Sequence, residues 1–152
     1  MQKITPFLWF DGKAEEAMNF YVSIFKNSKV VSVNRAGPNG PVITASFELE
    51  GQTFVALNGG PQYTFSPAVS FLVNCETQGE VDELWAKLTA GGSEQPCGWL
   101  KDRYGVSWQV IPSILGKLLR DKDPAKAQRT MQAMLKMKKI DIRGLQQAHE
   151  GA

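Results

Sequence analysis

Gly98-Trp99-Leu100-Lys101-Asp102-Arg103-Tyr104-Gly105-Val106-Ser107-Trp108-Gln109-Val110-Ile111-Pro112 reads as strand, tight turn, strand. Asp102 to Gly105 supplies the turn, because an Asp side chain captures nearby backbone N–H groups and Gly accepts positive φ. In the strand that follows, Val106, Trp108 and Val110 alternate with Ser107, Gln109 and Ile111. A period of two sends these sets to opposite faces. Gln109 therefore shares a face with Ser107 and Ile111, and Trp108 points the other way.

The stretch is the end of a unit that occurs twice. Phe7 to Phe10 reads as a strand, ended by Asp11-Gly12. In residues 13–25 Ala14, Ala17, Met18, Tyr21 and Phe25 recur at three and four, which makes the apolar stripe of a helix. Val30 to Val33 is a short strand, and Gly37-Pro38-Asn39-Gly40-Pro41 is a loop. Val42 to Leu49 and Gln52 to Leu57 make a hairpin about Glu50-Gly51. The order then repeats. Ala68 to Val73 reads as a strand, and residues 79–88 form a helix with Val81, Leu84, Trp85 and Leu88 on one stripe. Strands near 93–95, 96–101 and 106–111 complete it. A βαβββ unit is thus expected at 3–58 and again at 67–112, and a repeated supersecondary unit outweighs any single element.

After Pro112 the chain turns helical. Short helices are expected at 113–120 and 125–139, the second begun by Asp123 as cap and Pro124 at its first position. Asp141 caps a last one through Gln147. The division is a domain over 1–112 and a helical extension over 113–152. The extension carries a Met131/Met134/Leu135 stripe that needs a partner surface, on the sheet or on a second subunit.

At 152 residues the chain suits one compact domain, and its 43% hydrophobic content is ordinary. A net charge of +2 gives no reason to expect nucleic acid, and Lys and Arg after Lys117 read as a solvated helix face. No apolar run approaches the length of a membrane span and the N-terminus enters a strand directly, so a soluble cytoplasmic protein is expected. Cys75 and Cys97 lack metal or redox spacing, and Cys97 has no evident base to activate it. The lone histidine, His149, lies three residues from the end and is expected to be solvated. A two-histidine metal site within one chain, or a Ser-His-Asp triad, is therefore ruled out. Neither Gly59-Gly60 nor Gly91-Gly92 forms a nucleotide-binding Gly-rich motif.

The hairpin of 98–112 resembles the last hairpin of the vicinal oxygen chelate superfamily, the glyoxalase/bleomycin-resistance/extradiol dioxygenase group. There the pattern is roughly Asp-Pro-x-Gly-x-x-x-Glu, and the Glu ligates a metal. With Ile4-Thr5-Pro6-Phe7-Leu8-Trp9-Phe10-Asp11-Gly12 and Ala14-Glu15-Glu16-Ala17-Met18-Asn19-Phe20-Tyr21, the chain is more similar still to the PhnB-like branch, whose members often carry the label 3-demethylubiquinone-9 3-methyltransferase. The resemblance spans about residues 2–112. It implies an α+β fold in which two βαβββ modules form a curved half-barrel sheet with the site in its concavity. The superfamily's four metal-ligand positions fall, by this resemblance, at Thr5, Ala56, Ala68 (or Ser70) and Gln109. None is a side chain that divalent zinc, nickel, manganese or iron prefers. No metal and no cofactor are therefore expected.

Aromatic side chains remain as candidate binding groups. Thr5, Phe7 and Trp9 share one face of the first strand, Phe54, Ala56 and Asn58 one face of another, and Trp99 neighbours Gln109. A cleft lined by Thr5, Phe7, Trp9, Phe54, Asn58, Trp99 and Gln109 would suit a small hydrophobic or aromatic molecule. The leading expectation is a metal-free binding protein, assembled as a homodimer. The alternative is an enzyme of the superfamily, a lyase, isomerase or dioxygenase. Methyl transfer is disfavoured, because the common methyltransferase fold needs a Gly-rich turn after its first parallel strand.

Overall fold

The computed structural model describes residues 2–151, so the outer ends of the two expected regions, residues 1 and 152, lie outside it. The chain divides into two compact units, one running through Phe65 and the other starting at Ser66. In the first, strand β1 (Phe7–Phe10) leads into helix α1 (Ala14–Ile24), then β2 (Lys29–Arg35), β3 (Val42–Leu49) and β4 (Gln52–Asn58). The sheet order is β1-β4-β3-β2, with β1 parallel to β4 and the other pairs antiparallel. Glu50 and Gly51 join β3 to β4 with φ of 51° and 79°. Two positive φ values match the right-handed twist of the strands they connect.

The core of this unit lies between α1 and one sheet face. Ala14, Ala17, Met18, Tyr21 and Ile24 form the buried stripe of α1. Opposite them are Leu8, Phe10, Ala45, Phe47, Phe54 and Ala56. Phe47 and Phe54 stack at 5.6 Å between ring centres, and Tyr21 lies over Phe47 at 6.3 Å.

The second unit repeats the order. Strand β5 (Phe71–Cys75), helix α2 (Gln78–Thr89), β6 (Ser93–Glu94), β7 (Trp99–Lys101) and β8 (Ser107–Pro112) form a sheet of order β5-β8-β7-β6. Thr77 caps α2, its side chain accepting from the Glu80 N–H. Val81, Trp85 and Leu88 are the buried stripe of α2, and Leu100, Trp108 and Val110 are buried on the sheet. Asp102 organises the β7–β8 turn as its sequence predicts. Its Oδ1 accepts from the N–H groups of Tyr104 at 2.8 Å and Val106 at 3.0 Å. Its Oδ2 accepts from the Trp108 indole N–H at 2.9 Å.

Two strand expectations are corrected. Strand β5 starts at Phe71, three residues later than the alternation predicts. Ser66 holds the chain in a turn, its Oγ accepting from the Ala68 N–H at 3.1 Å, so Ala68 and Ser70 precede the strand. Residues 96–98 are a single 3-10 turn rather than strand, with Cys97 at φ 64° and Gly98 at φ 82°. Their N–H groups are taken by carbonyls from far along the chain, Met137 at 2.8 Å and Lys138 at 2.8 Å. A Cβ on Gly98 would lie 2.8 Å from Ile111 Cδ1 and 3.0 Å from Ile140 Cγ1, so glycine alone fits there.

Three helices follow: α3 (Ser113–Leu119), α4 (Pro124–Leu135) and α5 (Ile142–Glu150). Asp123 and Asp141 cap α4 and α5 by accepting from the N–H groups of Ala125 and Arg143. Helix α4 stops four residues short of its expected end, and residues 136–141 cross back to the second sheet. Leu115, Ile140 and Leu145 form a buried cluster against which Ile111, Met134 and Met137 pack. One of the three residues of the expected stripe, Met134, is thus covered by the chain itself, while Met131 and Leu135 stay exposed. The expectation for His149 is also corrected. Its Nε2 lies 2.8 Å from Asp121 Oδ2 and its side chain is only 15% exposed. Arg129 donates to the carbonyls of Ala148 and His149, which ties α5 to α4. The Asp123 N–H, and then His149, hold the Asp121 carboxyl below the usual carboxylate range. Among the described residues no helix is long and apolar enough to cross a membrane.

Candidate functional site

In the first unit, the register sorts the expected site residues onto two faces. Leu8 partners Ala56 and Phe10 partners Asn58, while Phe7 partners Val55 and Trp9 partners Leu57. Neighbours across a ladder share a face. Phe7 and Trp9 therefore stand with Val55 and Leu57 on the face away from α1. Phe54 and Asn58 stand on the helix-covered face, which corrects the expectation that they join Phe7 and Trp9. The physical reason is visible in their contacts. Phe54 is 6% exposed and stacked on Phe47. Asn58 Oδ1 accepts from the Ala14 N–H at the start of α1 at 2.9 Å, and its Nδ2 donates to the Val42 carbonyl at 3.0 Å. Asn58 thus serves the first turn of α1, whose preceding residue, Lys13, makes no side-chain cap.

Trp9 is held firmly. Its Nε1 donates to the Gly60 carbonyl at 2.9 Å, and Tyr63 meets its ring edge-on at 5.0 Å. A Cβ on Gly59 would fall 2.4 Å from the indole, so a glycine is required where the loop crosses it. Tyr63, which the sequence reading passed over, is the residue this loop adds to the Phe7/Trp9 face. Phe7 is 59% exposed and Tyr63 is exposed as well, an unusual disposition for two large aromatic rings on one sheet face. Thr5 precedes β1 and is half-buried.

In the second unit, Trp99 partners Gln109 across β7–β8, and Leu72 partners Gln109 across β5–β8. The Gln109 Nε2 donates to Ser70 Oγ at 2.9 Å. Trp99, Leu72, Ser70 and Gln109 thus form one group opposite the Trp108 face, with Leu72 exposed. The Ser107 hydroxyl, also on the Gln109 face, is buried and the one such polar atom without a partner among the described residues.

Ser70, which with Ala68 is one of two choices the resemblance offers for the third metal-ligand position, and Gln109, at the fourth, satisfy each other by this hydrogen bond. The other two are Thr5, a hydroxyl, and Ala56, which is fully buried and has no donor atom. Among the described residues no three His, Cys, Asp or Glu side chains gather as a metal site needs. This donor set does not fit a divalent metal.

The cysteines differ in reactivity. Burial, with the nearby Glu80 carboxylate, pushes the Cys75 thiol up to about 12. Cys97 is partly exposed. A thiol reagent at pH 8 is expected to modify one cysteine of the native protein, Cys97, and to reach Cys75 only after denaturation. Mass spectrometry of the labelled peptides checks this, and early labelling of Cys75 would show that the α2–sheet core opens readily.

Comparison with known proteins agrees with this geometry. PA1353 from Pseudomonas aeruginosa is 21% identical, with 74% of this chain matched to 98% of that one at TM-score 0.62. The Listeria monocytogenes fosfomycin resistance protein FosX, in complex with Mn(II) and sulfate, is 16% identical over 72% of this chain and 92% of its own, at TM-score 0.54. These likenesses show the fold, which a glyoxylase/bleomycin resistance protein/dioxygenase domain from Frankia sp. shares at 17% identity and TM-score 0.50, over 74% of this chain and 98% of that one. A PhnB protein from Bacillus cereus, given the description 3-demethylubiquinone-9 3-methyltransferase, is 44% identical; 74% of this chain covers 100% of it at TM-score 0.69. Residues 2–111 match the family model of the same description, and no curated protein matches. The chain belongs to the 3-demethylubiquinone-9 3-methyltransferase family, to which this PhnB protein is also assigned by description.

Proposed function

We propose that this protein binds a small hydrophobic or aromatic molecule without a metal, as a homodimer, with the extension from residue 113 as an addition to a binding domain ending at 112. In the first unit Thr5, Phe7 and Trp9 are the ligand-facing residues, with Phe54 and Asn58 on the other face of their sheet; in the second unit they are Trp99 and Gln109. The observation that carries this reading is the Gln109–Ser70 hydrogen bond at 2.9 Å. An amide bonded to a neutral hydroxyl cannot balance a divalent charge, yet it leaves the amide oxygen and the serine hydroxyl proton to orient a polar ligand atom. FosX holds Mn(II) on the same fold. At the positions that the family resemblance assigns to metal ligands, this chain carries hydroxyl, methyl and amide groups.

Methyl transfer, which the family description names, finds little support in the topology. Each sheet has a single parallel pair. The common methyltransferase fold uses a largely parallel sheet with a Gly-rich turn after the first strand.

The test is a titration of full-length protein with 1-naphthol, read by tryptophan fluorescence, together with metal analysis and light scattering. Saturable quenching that Trp99→Phe abolishes and Gln109→Ala weakens is expected, with a particle of twice the chain mass of 16.8 kDa. Stoichiometric zinc, nickel, manganese or iron that survives dialysis and is lost in Gln109→Ala would overturn the metal-free reading. A monomer at micromolar concentration would reject the dimer.

A further inference from the structure

The extension beyond the family-matched region does more than pack against the sheet. Residues 136–141 return to the start of β7 and deliver two carbonyls, Met137 and Lys138, to the N–H groups of Cys97 and Gly98, each at 2.8 Å. These are the two residues immediately before Trp99. Both have positive φ, an arrangement that a free strand end would not keep, since a non-glycine residue there is disfavoured. The returning segment is itself fastened to α2. Gln78 Nε2 donates to the Ile140 carbonyl at 3.0 Å, and Gln78 Oε1 accepts from the Ile142 N–H at 2.7 Å. Lys139 Nζ lies 2.9 Å from Asp82 Oδ1. The buried Ile140 side chain seats on Gly98 and belongs to the cluster that covers Ile111, two residues beyond Gln109 on the same face.

We infer that residues 136–140 are a positioning strap for Trp99, held by Gln78 and Ile140, and that they close the Ile111 end of the Trp99/Gln109 face. The inference rests on the reading of that face as a ligand site, which it deepens. Gln78 Nε2 also donates to Asp82 Oδ1 at 2.9 Å, within α2, and its bonds to Ile140 and Ile142 are those that hold the strap.

The test uses the full-length chain labelled with fluorotryptophan, which gives four indole resonances. Trp99→Phe assigns the one that matters. In Gln78→Ala, and separately in Ile140→Ala, the Cys97 and Gly98 amides are expected to lose hydrogen-exchange protection, and the Trp99 resonance to shift or broaden while that of Trp9 stays in place. Lost protection with an unmoved Trp99 resonance in both variants would overturn the inference. Undiminished protection in both would overturn it too, because the strap would then not depend on the groups assigned to it. These readouts need no ligand. Naphthol titration of the unsubstituted protein is read separately: no response at Trp99 would defeat the ligand-site reading, whereas strap coupling without ligand response would leave the positioning intact and remove its purpose.

Discussion

Replacing Trp108 by alanine is expected to destabilise the protein by about 3–5 kcal/mol, the range for emptying a buried aromatic site. Trp108 is buried among the sheet residues of the second unit, in ring contact with Phe71 at 5.4 Å between centres. Its loss also takes the indole N–H donor from the Asp102 carboxylate, which is itself buried. Removing a partner from a buried charged group costs more than the bond contributed. Asp102→Ala is expected to be comparably severe, because the Tyr104 and Val106 N–H groups lose their acceptor. The double variant should cost less than the sum, since the two residues share one network. Urea denaturation of the three variants measures this. Trp99→Ala, at a half-exposed position, should shift the midpoint much less. Equal shifts for Trp99→Ala and Trp108→Ala would refute the assignment of faces in the second sheet.

A second large effect is expected at Phe54. Phe54→Ala should lower stability by about 3–5 kcal/mol, because the ring fills the space under α1 against Phe47. Phe7→Ala, expected from the sequence to share a cleft with Phe54 but standing on the opposite face of the sheet, should change stability by no more than about 0.5 kcal/mol. The naphthol response should reverse the order, with Phe7→Ala weakening it and Phe54→Ala affecting it only by unfolding. Parallel denaturation and titration of the two variants decide the matter. A well-folded Phe54→Ala protein with weakened probe binding would return Phe54 to the ligand face.

The repeated βαβββ order was legible because each element carries its own local signal. The stripe of α1 has the helical period, β3 and β8 alternate, and Glu50-Gly51 and Asp102 to Gly105 have the side chains their turns require. The Asp123 and Asp141 caps were legible for the same reason. The poor donor set at Thr5, Ala56, Ser70 and Gln109 likewise needs only residue identities and an aligned pattern.

Which face of β4 looks outward was not legible. Phe54 and Ala56 alternate with Val55 and Leu57, so both faces are apolar, and a period of two separates the faces without saying which one a helix covers. Only the packing of α1 decides it. The left-handed turn at Cys97-Gly98 was hidden because its cause, the carbonyls of Met137 and Lys138, lies forty residues away in the chain. His149 reads as a frayed end by position, and becomes a partly buried partner of Asp121 once α4 and α5 pack. Local sequence determines where strands, helices and turns form, since those depend on neighbours along the chain. Face, burial and the seat of the extension are decided by contacts between distant segments, which exist only once the chain has folded.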